Sequence, residues 1–240
     1  MEKEASKGNK KAHVLVVPYP AQGHVNPMLQ FCKRLIPKGI KISLANWVHL
    51  SKSISTDPNN PIKVEIISDG HDEGGFAQAE SDESYLETLS VVGSKTLANL
   101  IQKLIDSDQP VTAVIYDGFI PWALDVAKQF GLVGVVFFTQ TCAVNNIYYH
   151  VHRKLLSLPL TEPIISIPGL PPLKPSDTPS YVHAYGAYPG FSHTVFNQFI
   201  NVDDADWILF STFYELEAEV SICSRVMKLF LTKDFLMQKN

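Results

Sequence analysis

Features that mark exported, membrane-spanning or metal-binding proteins are scarce in this sequence. Its three cysteines, Cys32, Cys142 and Cys223, form no CxxC pair, which argues against a disulfide-rich secreted domain and against a zinc site. No Asn-x-Ser/Thr glycosylation sequon occurs, and the charged residues 1–11 contain no apolar core of a signal peptide. The longest apolar run, residues 132–138, has the length of a strand and is too short for a membrane span. We therefore expect a cytoplasmic protein without a transmembrane segment.

An excess of positive charge and several well-known catalytic motifs are also missing. The chain has 20 Lys and Arg against 24 Asp and Glu, a formal net charge of −4, which does not indicate a nucleic-acid partner. It contains no GxSxG elbow, no GxxxxGK(S/T) loop, no GxGxxG after the first predicted strand and no HExxH motif. These absences argue against α/β-hydrolases, P-loop enzymes, dinucleotide dehydrogenases and zinc proteases. His150 and His152 are two residues apart on a predicted helix and face different directions, so we expect no metal site.

The sequence does contain a regular alternation of strand and helix patterns. At about 150 residues per domain, its length corresponds to roughly 1.6 domains, and 45% hydrophobic residues are enough for a large core. We expect Asn26 to cap the first helix, with Pro27 as its first residue and Gly39 at its end. The βαβ order predicts a doubly wound parallel sheet with right-handed crossovers. The predicted strands are residues 13–18, 40–45, 62–67, 111–116, 134–138 and 206–210, and the later helices are residues 85–105, 121–130 and 141–156.

Two segments interrupt this alternation. Residues 65–87 hold eight acidic residues and no Lys or Arg. We interpret them as a solvated loop followed by a helix N-terminus, where negative charge is favourable. Residues 159–179 hold seven of the 16 prolines. Loops of this length in a compact domain are usually functional or disordered, and the apolar content of this one predicts a packed surface loop that could wall a pocket.

Two polar residues fall where such a sheet binds ligands, beyond the carboxyl ends of the strands and at the point where the strand order reverses. With the order 3-2-1-4-5, the reversal lies between the first and fourth strands; His24 follows the first and Asp117 ends the fourth. A carboxylate beside an imidazole sets its tautomer and stabilises the imidazolium, so the pair would form a general base. Taken singly, each residue is also consistent with a structural or capping role.

Six stretches of sequence carry a resemblance to a known family. They are residues 17–27 (VPYPAQGHVNP), 68–76 (SDGHDEGGF), 116–127 (YDGFIPWALDVA), 137–150 (FFTQTCAVNNIYYH), 167–172 (IPGLPP) and 211–217 (STFYELE). Over about residues 12–220 the chain resembles plant UDP-sugar-dependent glycosyltransferases with the GT-B fold. The details are most similar to the subgroup that glucosylates small carboxylic acids, thiohydroximates and some terpenoids. The resemblance implies a Rossmann-like N-terminal domain that binds the acceptor.

The resemblance also implies a mechanism. His24 would deprotonate the acceptor, and Asp117 would hold that histidine and balance its charge. Glucose would pass from UDP-glucose to the acceptor by direct displacement with inversion, without a metal or a cofactor. Substrate-binding positions of the family correspond to Gly23 for the nucleotide sugar, to Thr139 for the sugar, and to Phe119 and Tyr148 for the acceptor.

The sequence departs from the family in two places. Gly118, next to Asp117, stands where close relatives commonly have serine. Residues 221–240 do not resemble the interdomain linker, and the signature of the family's UDP-sugar-binding domain does not occur. We therefore expect a charged extension at residues 1–11, an acceptor-binding domain at 12–220 and a divergent tail at 221–240, with the C-terminal donor domain absent.

Two functions of different classes follow. One is an inverting UDP-glucosyltransferase, here in truncated form, that acts on a small hydroxyl or carboxyl acceptor. The other is a catalytically silent acceptor-binding fragment or a regulatory short isoform, because catalysis needs both substrates held in reacting geometry. The pattern indicates neither a particular acceptor nor a particular oligomeric state.

Overall fold

The computed structural model describes residues 12–53 and 60–220 of the chain. The predicted extension at 1–11 and the predicted tail at 221–240, with Cys223, lie outside the described residues. Within the described part, six strands and six α-helices are present, with short 3₁₀ segments between some of them. The strands are β1 (His13–Val17), β2 (Lys41–Trp47), β3 (Ile62–Ile67), β4 (Ala113–Asp117), β5 (Val133–Phe138) and β6 (Trp207–Phe210). The helices are α1 (Gln22–Leu35), α2 (Asp82–Ile105), α3 (Trp122–Gln129), α4 (Cys142–His152), α5 (Ser180–His183) and α6 (Pro189–Asn197).

The six strands form one parallel sheet in the order β3-β2-β1-β4-β5-β6. In the centre of the sheet, Val14 of β1 lies opposite Ile42 of β2 on one side and Ala113 of β4 on the other. The order reverses between β1 and β4, as the sequence predicted. The doubly wound α/β fold is thereby confirmed, and its crevice lies beyond the ends of these two strands.

Both faces of the sheet are covered by helices, which explains why the central strands β1 and β5 are nearly continuous apolar runs. In β1, Leu15 and Val17 belong to one buried cluster, while Val14 and Val16 belong to a second cluster on the opposite face. The second cluster contains the face of α1 that includes Cys32. Burial raises the pKa of the Cys32 thiol to about 12, so this cysteine stays neutral and packs as an apolar side chain.

The start of α1 differs from the sequence prediction. The helix begins at Gln22, and Pro27 lies inside it instead of at its first position. The carbonyl of Ala21 accepts hydrogen bonds from the N–H groups of His24 and Val25, at 2.9 and 3.0 Å, which closes the first turn before Pro27 is reached. Proline then removes a single main-chain donor near the N-terminus of the helix. As a result, His24 lies on the first helical turn and not in a preceding loop.

The acidic and proline-rich segments are better packed than loops usually are. Asp69, in the acidic segment, is fully buried, which differs from the expected solvated loop, while Ser81 caps α2 through the N–H of Ser84 at 3.1 Å. In the proline-rich segment, Ile165 and Ile167 are buried, and Ile165 forms an isolated bridge with Leu173. This confirms the expected packed surface loop. None of the helices in the described part of the chain combines the length and hydropathy that a membrane span needs.

Candidate active site

Three polar residues of the predicted site come from three segments that meet at the carboxyl edge of the sheet. His24 lies on the first turn of α1, just after β1, and Asp117 is the last residue of β4. Thr139 follows the last residue of β5 directly. The indole N–H of Trp47, at the end of β2, donates to the carbonyl of Pro18 at 2.9 Å and so fixes the turn that leads into α1. The sheet therefore presents all three polar side chains to one crevice.

His24 and Asp117 form the hydrogen-bonded pair that the sequence predicted. Nδ1 of His24 lies 2.8 Å from Oδ2 of Asp117, and the two side chains are 15% and 1% exposed. The other carboxylate oxygen accepts the main-chain N–H of Phe119 at 2.9 Å, so the orientation of Asp117 is set on both sides. Because the carboxylate accepts the proton on Nδ1, the lone pair of His24 lies on Nε2. Within residues 12–53 and 60–220, Nε2 has no hydrogen-bond partner, which leaves it available as a base.

Thr139 lies beside the same ring nitrogen. Its Oγ1 is 3.3 Å from Nδ1 of His24. Since the Nδ1 proton already points to Asp117, the threonine hydroxyl is at best a weak second acceptor there. Its own proton is therefore free for another acceptor in the crevice. The arrangement places a neutral donor and a base side by side.

Aromatic rings confine the imidazole. The ring centroid of Phe119 lies 4.6 Å from that of His24, and the centroid of Tyr19 lies 5.2 Å away. Tyr19 and Phe119 also contact each other edge to face at 5.6 Å. Burial, together with the charge of Asp117, raises the pKa of Tyr19 well above its usual value, so its hydroxyl stays neutral. The sequence prediction missed Tyr19, although it lies in the same turn motif as His24.

Tyr148 does not belong to the group of aromatic rings around His24. It is buried on α4, with ring contacts to Tyr181 at 6.5 Å and Phe196 at 5.9 Å. Burial raises the pKa of its hydroxyl to about 12. Within the described residues, no ring contact joins Tyr148 to His24 or Phe119. The structure thus places Tyr148 with the aromatic side chains of α5 and α6, apart from the His24–Asp117 pair.

The two glycines near the pair have opposite environments. Gly23 is exposed, and a Cβ atom built on it would meet nothing within 4 Å. No contact within the described chain therefore requires glycine there. A Cβ on Gly118 would lie 2.7 Å from the ring of Phe138, so a side chain at this position needs the ring to move. This packing accounts for glycine beside Asp117.

A second His–Asp pair, which the sequence did not predict, lies at the ends of β2 and β3. Nδ1 of His49 is 3.2 Å from Oδ2 of Asp69, without hydrogen-bond geometry. Asp69 accepts the hydroxyl of Tyr85 at 3.0 Å and the main-chain N–H of His71 at 2.9 Å. The far side of the His49 ring packs on Gly75, where an added Cβ would lie 2.6 Å from Nε2. This pair holds a loop together and leaves no room for a substrate at Nε2.

The described residues contain no group of three or more His, Cys, Asp or Glu side chains arranged to hold a metal ion. The site consists of one hydrogen-bonded base, one hydroxyl donor and aromatic walls. Such a set is suited to removing a proton from a bound hydroxyl group.

Comparison with known proteins relates the chain to one group of enzymes, although no protein-family model matches it. It is 48% identical to UDP-glycosyltransferase 74F2 of Arabidopsis thaliana over 211 residues, which is 87% of this chain and 45% of that protein. It is 41% identical to the indole-3-acetate beta-glucosyltransferase of Zea mays, over 87% of this chain and 47% of that protein. Among solved structures, Os79 from O. sativa in complex with UDP superposes with a TM-score of 0.79 and 34% identity, over 89% of this chain and 49% of Os79. The chain thus spans about half the length of the curated relatives it matches.

Proposed function

We propose that this chain, which is homologous to plant UDP-glycosyltransferases and has the fold of their N-terminal domain, is the acceptor-side part of an inverting UDP-glucosyltransferase. The observation that carries the proposal is the 2.8 Å bond between His24 and Asp117, which leaves Nε2 of His24 without a hydrogen-bond partner among the described residues. The homology favours a transferase over a protein that only binds the acceptor. The donor substrate is UDP-glucose, and no cofactor or metal takes part.

The chemistry follows from the geometry of the pair. Nε2 of His24 accepts the proton of an acceptor hydroxyl, and the acceptor oxygen attacks the anomeric carbon of glucose from the side opposite UDP. The bond between that carbon and the UDP oxygen breaks, UDP leaves with the bonding electrons, and the anomeric configuration inverts. Asp117 stabilises the imidazolium that forms on His24. A carboxylate acceptor is already ionised near pH 7 and needs the base less.

The remaining predicted residues have binding roles in this proposal. Thr139 donates its free hydroxyl proton to the sugar, and Phe119 stacks against the acceptor beside His24. Tyr148 closes the acceptor pocket from α4. Gly23 lets the first turn of α1 approach the UDP-sugar, because the space above its Cα is open. We also propose that the protein acts in the cytoplasm, where UDP-glucose would be its small-molecule partner.

The test requires the remaining half of a relative, because the chain covers 45% of the Arabidopsis protein. Residues 1–220 joined to the C-terminal half of that protein should transfer glucose to a flavonol and to indole-3-acetate. His24→Ala should lower the rate with the flavonol about 10²- to 10⁴-fold. His49→Ala, the matched change in the second His–Asp pair, should leave the rate per folded molecule within about threefold. Equal rate losses in the two variants would contradict the assignment of His24.

The same measurement on the 240-residue chain addresses the second function. Incubation of the purified chain with UDP-glucose and either acceptor should give no glucoside, while acceptor binding remains detectable by calorimetry. Formation of product by the chain alone would rule out the silent acceptor-binding fragment.

A further inference from the structure

The segment after β6 is hydrogen-bonded to both ends of the turn that contains Thr139. This joining segment, residues 211–217, begins where the N–H of Ser211 donates to the carbonyl of Phe138 at 2.9 Å. It ends at Glu217, whose two carboxylate oxygens accept the N–H groups of Cys142 and Ala143 at 2.9 and 2.8 Å. Residues 139–141 therefore lie between two points that the joining segment holds.

The carboxylate of Glu217 supplies hydrogen-bond acceptors at the N-terminus of α4. The first N–H groups of a helix have no partner within the helix, and a carboxylate is favoured there by the helix dipole. Within the described residues, the side-chain hydroxyl of Thr141, the N-cap residue, accepts only the N–H of Val144, at 3.4 Å. Glu217 supplies acceptors for the first two N–H groups from 75 and 74 residues away in sequence. These bonds are therefore tertiary contacts, unlike a local helix cap.

Asn145 links the turn at residues 139–141 to the first turn of α4. Its side-chain amide, which is buried, donates to the carbonyls of Gln140 and Thr141 at 3.0 and 2.9 Å. A displacement of the first turn of α4 is thus transmitted to residues 139–141. Thr139, at the start of this turn, has its hydroxyl 3.3 Å from Nδ1 of His24.

We propose that Glu217 is a positioning residue of the candidate active site: by holding the first turn of α4, it sets the position of Thr139 beside His24. The inference rests on the proposed function for its significance, since it concerns the placement of a sugar-binding hydroxyl and the catalytic base. Among the described residues, the carboxylate of Glu217 forms hydrogen bonds only to main-chain N–H groups, and we assign it no part in the chemistry.

A measurement on the 240-residue chain without any substitution tests the first step. The amide protons of Cys142 and Ala143 should exchange about tenfold to a hundredfold more slowly than those of Asp82 and Glu83, which hold the same two positions in α2. Within the described residues, the N–H groups of Asp82 and Glu83 donate to no acceptor. Equal exchange rates at the starts of the two helices would overturn the proposal.

Variants test the second step, the effect on His24. In the ¹⁵N-labelled chain, Glu217→Gln and Glu217→Ala should shift the imidazole nitrogen resonances of His24 and the amide signals of Thr139 and Gln140. Glu217→Gln keeps one acceptor oxygen, so it should shift these signals less than Glu217→Ala does, and it serves as the test if the alanine variant does not fold. Glu219→Gln, a change of the same chemistry at an exposed neighbour, should leave the signals unmoved.

A control for general loss of stability comes from Asp206. Its carboxylate also accepts a main-chain N–H, that of Gly134, at 2.7 Å, and it accepts a hydrogen bond from the ammonium group of Lys128. These contacts lie at the amino ends of β5 and β6, away from the carboxyl ends where His24 lies. Asp206→Asn should lower the melting temperature without moving the His24 resonances. If Glu217→Ala left the signals of His24 and Thr139 at wild-type positions, or if Asp206→Asn moved them equally, Glu217 would be only a structural residue. Because these readouts do not use glucose transfer, they stay informative whether or not the proposed function holds.

Discussion

Two His–Asp pairs, each with a buried aspartate and a partly buried histidine, lie at the same edge of the sheet and differ in what surrounds the histidine. His24 donates to Asp117 with its Nδ1 at 2.8 Å, and its Nε2 has no hydrogen-bond partner in the part of the chain that the structure describes. His49 approaches Asp69 at 3.2 Å without hydrogen-bond geometry, and the Nε2 side of its ring packs on Gly75. The presence of a carboxylate beside an imidazole is therefore not what distinguishes a candidate base. The decisive property is access to the second ring nitrogen.

Topology explains the difference. His24 follows β1 and Asp117 ends β4, and the strand order reverses between these two strands, so their connections diverge and leave a crevice. His49 and Asp69 follow β2 and β3, which are neighbours on one side of the reversal. The segments that leave these two strands pack against each other, since His49 lies against Asp69 and Gly75. The carboxylate of Asp69 also accepts the hydroxyl of Tyr85 on α2 and the N–H of His71 in its own loop.

Removing the charge of each carboxylate should give the largest contrast. In the joined transferase described above, Asp117→Asn should lower the rate with a flavonol on the order of 10²- to 10⁴-fold, because an amide in this position can favour the wrong tautomer of His24. Asp69→Asn should instead lower the free energy of unfolding by about 1–3 kcal/mol, because two buried donors lose their charged acceptor. Turnover and urea denaturation of both variants check this, and a rate loss of similar size for Asp69→Asn would remove the distinction between the pairs.

The acceptor should decide how much His24 contributes. A carboxylate acceptor such as indole-3-acetate is ionised near pH 7, so its attack needs no base. The rate loss of His24→Ala should therefore be at least about tenfold smaller with indole-3-acetate than with a flavonol. The ratio of the two losses in one variant is the measurement. Identical losses would indicate that His24 orients substrates instead of removing a proton.

The glycines beside the two pairs should respond in opposite ways. Gly75→Ala places a Cβ against the His49 ring at a residue with φ of +58°, so we expect a loss of about 1–3 kcal/mol in the free energy of unfolding. Gly23→Ala meets nothing in the described chain and should leave stability within about 0.5 kcal/mol. It should raise the KM for UDP-glucose in the joined transferase. An unchanged KM would show that the donor does not approach Gly23.

A third histidine, His13, should show the smallest effect, and only in stability. Its Nδ1 donates to the carbonyl of Gln109 at 2.7 Å, and its Nε2 accepts the hydroxyl of Ser43 at 2.9 Å. Burial lowers the pKa of His13 below its usual value, so the unfolded chain binds a proton more readily than the folded one. Stability should then fall as the pH drops below about 6.5, the pKa in the unfolded chain.

Denaturant titrations between pH 8 and pH 5 would measure this slope, and His13→Gln should reduce it. Burial also lowers the pKa of His152, which contributes a slope of the same sign, so part of the slope should remain in the variant. A slope that did not change on substitution of His13 would contradict the expected neutral form of this side chain.

Most of the fold could be predicted because it depends on local pattern. The predicted strand at 62–67 agrees with β3 (Ile62–Ile67), and the helix predicted at 85–105 differs from α2 only in its first turn. The start of α1 could not be predicted from the Asn26–Pro27 pattern, because the first turn closes on the carbonyl of Ala21. The short helices α5 and α6 were missed, since they lack a sustained helical period and take their apolar partners from other segments.

The candidate site was predictable in part. The His24–Asp117 pair followed from strand ends and from the family resemblance, and the structure brings the two side chains together. Asp69 and Glu217 were not identified, because their importance lies in contacts with other segments of the chain. Tyr19 was also missed: it is close to His24 in sequence, but its contact with Phe119 exists only in the folded chain. For Glu217 the only signal was its place in the motif of residues 211–217.

By itself, the sequence determined the alternation of buried strands and helices, the doubly wound order and the family resemblance, since hydrophobic period and motif are properties of the chain read in order. Only the tertiary structure decided which histidine is open, why glycine stands at position 118, and what holds the turn that carries Thr139. Those properties depend on where side chains from distant segments meet. The Phe138 ring over Gly118 and the Gly75 backbone against His49 exist only once the sheet has formed and its connections have packed.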